Sequence, residues 1–79
     1  MKRDWLIDAR RHRNLTQREM GRKLNISKAY YSMIECGVRK KNLDLATTRK
    51  LAVILGLGIE KLILAEEKYK ADELFGPGE

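Results

Sequence analysis

Two adjoining stretches of this sequence carry side chains that could do chemistry on a polyanion. The first is Lys28-Ala29-Tyr30-Tyr31-Ser32-Met33-Ile34-Glu35-Cys36. Wound into a helix at about 100° per residue, it divides into two faces. Tyr31 and Ile34 fall on one side with Tyr30 at its edge, a bulky set suited to packing. Lys28, Ala29, Ser32, Met33 and Cys36 fall on the other. That mix of a cation, a hydroxyl, small groups and a flexible thioether can touch base edges and thymine methyls in a DNA major groove. The second stretch, Arg39-Lys40-Lys41, offers three cations to phosphate.

The charge of the whole chain points the same way. Lys and Arg number 17 against 11 Asp and Glu, a net +6 in 79 residues. Residues 1–59 hold 14 of the basic and 5 of the acidic residues, whereas residues 60–79 hold 3 and 6. This asymmetry predicts an anion-facing body with an acidic end turned elsewhere. Other chemistries are poorly served. One cysteine, Cys36, and one histidine, His12, make neither an internal disulfide nor a metal constellation. The carboxylates lie at helix caps or near cations, and no nucleophile–base pair can be named, so no enzyme and no cofactor are expected. Gly56-Leu57-Gly58 lacks a third glycine and a preceding strand, and is no nucleotide fingerprint. No apolar run approaches the roughly 18 residues of a membrane span, and no signal-peptide pattern follows Met1, so a cytoplasmic domain is expected.

The elements that must position these residues are all helical, because no strand alternation occurs anywhere. A first helix contains Leu6, Ala9 and Arg10. Thr16-Gln17-Arg18-Glu19 has the form of a capping box and opens a second helix, which Asn25 can close in the left-handed conformation. Ser27 is the N-cap candidate of a third helix, which Gly37 stops. Asp44 caps a fourth that carries Leu45, Thr48, Leu51, Ala52 and Leu55, and Gly56 ends it. A fifth runs from Gly58, with one long helix predicted over 59–75. Residues 1–75 are therefore expected to form one all-α domain of five helices, with 76–79 a flexible tail. The turn between helices two and three is too short for an antiparallel hairpin and predicts a helix-turn-helix. Gly21 costs about 1 kcal/mol against alanine inside the second helix, which predicts a close approach of the crossing helix there.

Three motifs then carry a resemblance. Leu15-Thr16-Gln17-Arg18-Glu19 runs on through Met20-Gly21-Arg22-Lys23-Leu24-Asn25-Ile26-Ser27, and Ser32-Met33-Ile34-Glu35-Cys36-Gly37-Val38-Arg39 and Lys50-Leu51-Ala52-Val53-Ile54-Leu55-Gly56 follow. Together they resemble the phage repressor/Cro-type (XRE) helix-turn-helix family over about Leu6 to Leu62. The resemblance implies a compact five-helix domain whose third helix enters the major groove. It implies that Gln17 grips a phosphate, that Lys28, Ala29, Ser32 and Met33 face bases, and that Arg39 with neighbouring Lys40 and Lys41 reaches the DNA backbone. It implies a structural ion pair between Arg10 and Glu35. Two positions and one connection depart from the family pattern. Cys36 stands where asparagine is frequent, Gly21 where alanine is usual, and Lys40-Lys41-Asn42-Leu43 replaces a shorter, proline-containing connection.

The expected function is that of a sequence-specific transcriptional regulator that binds double-stranded DNA, a repressor in a prokaryote. A protein-interaction adaptor or an antitoxin component on the same fold is the competing expectation, with any toxin or effector unspecified. His12 reads as a solvated residue in the last turn of the first helix, and Trp5 as packing against the first or last helix. Leu64, Tyr69, Leu74 and Phe75 exceed what the core needs and are the expected contact of a homodimer.

Overall fold

Capping chemistry decides where the helices begin and end. A computed structural model describes residues 2–40 and 43–75 and, of Glu73 and Phe75, the helical backbone alone. It contains α1 (Asp4–His12), α2 (Gln17–Leu24), α3 (Lys28–Glu35), α4 (Leu45–Leu55) and α5 (Ile59–Phe75), with no strand among the described residues. The Thr16 hydroxyl accepts the Glu19 N–H at 3.1 Å while the Glu19 carboxylate accepts the Thr16 N–H at 2.8 Å, a reciprocal capping box. Asn25 closes α2 at φ 63°, in the left-handed region. After Ile26, the Ser27 hydroxyl takes the Tyr30 N–H at 3.0 Å and opens α3. The Asp44 carboxylate takes the Thr47 N–H at 2.8 Å and opens α4, which ends on Gly56 at φ +67°. Hydrogen bonds from Thr47, with Lys40 beside them, hold the Asp44 carboxyl down at about 2. Thr16 does the same, in direction, for Glu19.

Helices of eight or nine residues are marginal alone, so packing must hold them. Leu6 of α1, Met20 and Leu24 of α2, Tyr31 and Ile34 of α3, Leu51, Ala52 and Leu55 of α4, and Leu62 of α5 form one buried cluster. Every helix thus gives at least one side chain to a single core. Among the described residues, no helix is long and apolar enough to cross a membrane. The expected tail, residues 76–79, lies outside the described residues.

One buried cation organises the end of this assembly, and sequence reasoning missed it. Arg3, fully buried just before α1, donates through Nε and Nη2 to Glu66 of α5 at 3.0–3.2 Å. Its Nη1 donates to the Ile34 carbonyl at 2.7 Å, its Nη2 to the Lys40 carbonyl, and its backbone N–H to the Glu35 carbonyl at 2.7 Å. Arg3 thus gives its backbone amide to the Glu35 carbonyl and its cation to the Ile34 carbonyl, at the negative end of the α3 dipole. Trp5 Nε1 donates to the same Glu66 at 3.0 Å, so the indole packs against α5. The Arg3 guanidinium also lies 5.0 Å from the centre of the Tyr69 ring. This corrects one expectation: Tyr69 is only 6% exposed and belongs to the interior of its own chain, so it cannot serve a self-contact. Leu64 and Leu74, at 66% and 78% exposed, do face outward. The Phe75 side chain lies outside the described residues.

Candidate nucleic-acid interface

The joint between α2 and α3 sets how α3 is presented. Ile26 N–H bonds back to the Gly21 carbonyl at 2.8 Å, folding the turn onto α2. A Cβ at buried Gly21 would come within 2.9 Å of the Ile26 carbonyl oxygen and 3.1 Å of that of Ser27. Only a residue without a side chain allows the turn to lie this close, which is the physical use of the helix-weakening glycine.

With α3 seated this way, its two faces separate. Tyr31, Ile34 and Glu35 are buried, Tyr30 is half-buried against the core, and Lys28, Ala29, Met33 and Cys36 are exposed with Ser32 half-exposed between them. The four residues expected at bases therefore share one accessible face of α3. The free thiol of Cys36 stands at its C-terminal end.

Behind α3, Arg10 and Glu35 meet: Arg10 Nε and Nη2 donate to the Glu35 carboxylate at 2.6 and 3.4 Å, and a third hydrogen bond runs from Arg10 Nη1 to the Leu15 carbonyl at 2.8 Å. The pair ties α1 both to α3 and to the entrance of α2. Burial alone would raise the Glu35 carboxyl, but hydrogen bonding from Arg10, then from Gln17, outweighs it and holds the group below the ordinary carboxylate value. The buried Tyr31 hydroxyl lies beside the carboxylate without a hydrogen bond of good geometry, and burial pushes it well above the usual phenol range.

Gln17, expected at a phosphate, is half-buried and donates its amide to Glu35 at 2.9 Å. It joins the α2 N-terminus to the ion pair, leaving its remaining polar atoms for other partners. Sequence reasoning missed the surroundings. Arg11, Arg18 and Lys28 line an open cleft of about 810 Å³ together with Gln17, Asn14 and Thr16, at the N-terminus of α2. Three cations at a helix N-terminus suit a phosphate. Arg11 and Arg18 are separated by seven positions across a helix break, so no periodicity could have assembled them.

Past the other end of α3, Arg39 is exposed and Lys40 is half-buried, with its ammonium 3.2 Å from Asp44. Lys40 takes a positive φ of 53°, and the carbonyls of Arg39 and Lys40 both face Arg3. Arg3 thus anchors the backbone that carries these cations. Lys41 lies outside the described residues. Among the described residues no three His, Cys, Asp or Glu side chains gather as metal ligands.

A helix-turn-helix family model matches residues 6–62, the span that contains this whole arrangement. No curated protein and no solved structure matches the chain.

Proposed function

Since this chain belongs to the repressor/Cro-type (XRE) helix-turn-helix family of DNA-binding transcription regulators, we propose that it is a sequence-specific repressor that lays α3 in the major groove of double-stranded DNA. The observation that carries this reading is the division of α3: one face sealed by Tyr31, Ile34 and the Arg10–Glu35 pair, the other bare and bounded by cations at both ends. Lys28 and Ser32 donate to base edges, and Ala29 and Met33 meet thymine methyls. Gln17, Arg11 and Arg18 take a phosphate before α3, and Arg39, Lys40 and Lys41 take phosphates after it.

A single recognition helix reads too few base pairs to select one site from a genome. The protein therefore acts as a homodimer, its two α3 helices about 34 Å apart along the duplex. The exposed Leu64 and Leu74 of α5 supply the self-contact, with Phe75 beside them in the sequence. In this role the protein works in the cytoplasm of a prokaryote.

Selection of binding sites from a random duplex library tests both parts. Enrichment of a palindrome is the expected result. Recovery of no preferred sequence overturns the specific reading, and one protomer per site at saturation, on duplexes long enough for two half-sites, overturns the dimer.

A further inference from the structure

Away from the bare face of α3, the helices α1 and α5 and the end of α4 enclose a groove of about 320 Å³. Its floor is apolar: Trp5 and Ala9 from α1, Leu55 and Leu57 at the end of α4, Leu62 and Ala65 from α5. Its rim carries His12, Arg13 and Lys61 against one carboxylate, Asp8. Arg13 is exposed and reaches back to the end of α4. Its guanidinium lies over Gly56, where a Cβ would come within 2.9 Å of Nη1. The left-handed φ of +67° at Gly56 favours glycine there.

Small-molecule sites are concave and mostly apolar, with a few polar groups that fix orientation, and their volumes begin near 300 Å³. An apolar floor under a rim with excess positive charge is complementary to a small anion with an apolar body. We propose that this groove binds a small amphipathic carboxylate that acts as an effector of DNA binding. The apolar body lies on Trp5, Leu57 and Ala65, and the carboxylate turns to Arg13 and Lys61. The effector role follows from the hydrogen bonds behind the groove. The Trp5 indole donates to Glu66, Glu66 accepts from Arg3, and Arg3 holds the carbonyls of Ile34 and Lys40 at the end of α3. A ligand that displaces the indole acts on the same clasp that positions α3 and its following cations.

Octanoate is a suitable probe and octanamide its neutral control. Trp5 is the only tryptophan in the chain, so its fluorescence reports occupancy directly. Titration of the full chain is expected to give a saturable change with one octanoate per protomer, and about tenfold weaker binding of octanamide. The Arg13→Gln/Lys61→Gln variant should lose about tenfold in octanoate affinity while keeping that for octanamide. Ala65→Phe, checked for folding by circular dichroism, should lose both. Saturating octanoate should shift the affinity of the wild-type protein for its selected duplex but not that of the Ala65→Phe variant. No saturable change, or equal binding of the two probes, overturns the site. A fluorescence change that follows dissociation of a dimer instead of ligand occupancy assigns the groove to a second copy and also overturns it. Unaltered affinity for the selected duplex at saturation overturns the effector role, and this is distinct from failure to bind DNA at all.

Discussion

Replacing Arg3 by methionine removes a charge from full burial and should be among the most damaging single changes outside the hydrophobic core. Arg3 is 0% exposed and its partner Glu66 has a side chain 14% exposed. Removing one member of a buried pair costs about 3–5 kcal/mol, because the other charge stays behind uncompensated. The residual solvent access of Glu66 and its hydrogen bond from Trp5 place this contribution near the lower end, about 3 kcal/mol. The Lys40 carbonyl loses the Arg3 donor as well, and the Ile34 carbonyl keeps only the Gly37 N–H, adding about 1 kcal/mol. A loss of about 4 kcal/mol compares with a total of roughly 4–12 kcal/mol for a domain of this length. It corresponds to a fall in melting temperature of about 15–30 °C. Urea denaturation followed by circular dichroism measures it, and the informative comparison is Arg3→Met in the Glu66→Gln background. There the uncompensated carboxylate is absent, so the same substitution should cost at least about 1 kcal/mol less. A wild-type-like midpoint for Arg3→Met, or an equal cost in both backgrounds, would refute the claim that a buried pair holds α5 against the end of α3.

Four further outcomes are expected. A double-mutant cycle on Arg10→Met and Glu35→Gln should show coupling above about 1 kcal/mol by urea denaturation, whereas additivity would mean that the pair does not act as one. Glu35 is held below its ordinary value of 4.5, so its contribution is complete above that pH and disappears as the pH falls through the folded-state value. Stability measured stepwise into acid should accordingly decline less steeply in Glu35→Gln than in the wild type, and parallel curves would contradict this. Lys28→Ala should cost about 1–3 kcal/mol at the selected site and relax base choice at one position; equal losses on selected and random duplexes would make Lys28 a phosphate contact. Neutralising Lys40 and Lys41 together should weaken all duplexes alike and lower the log–log salt slope by about 0.9 for each phosphate no longer neutralised, and an unchanged slope would remove both from the interface.

Much of the fold is legible in the sequence because helix ends are decided locally. Thr16 with Glu19, Ser27 with Tyr30 N–H, and Asp44 with Thr47 N–H are partners three positions apart, so the residues that start each helix are neighbours in the sequence. Asn25 and Gly56 stop helices for an equally local reason, their tolerance of positive φ. The bare face of α3 is legible for the same reason: once its ends are set, a period of about 3.6 residues separates Lys28, Ala29, Ser32 and Met33 from Tyr31 and Ile34. The Arg10–Glu35 pairing does not follow from spacing, and only the family resemblance implies it.

What the sequence by itself determined is therefore the set of helices, the faces they present and the sign of the charge on each part. The tertiary structure decided which distant groups share a partner. Arg3 reaches Ile34, Lys40 and Glu66 across 31, 37 and 63 positions, Gln17 is drawn to Glu35, Tyr69 turns inward beneath the Arg3 guanidinium, and Arg11 and Arg18 converge on one cleft. A cap is stabilised by backbone already within reach, so its residues announce it. A buried cation is tolerable only where packed helices bring carboxylates and carbonyls to it, and that geometry exists only after the core of Leu6, Met20, Tyr31, Leu51 and Leu62 has closed.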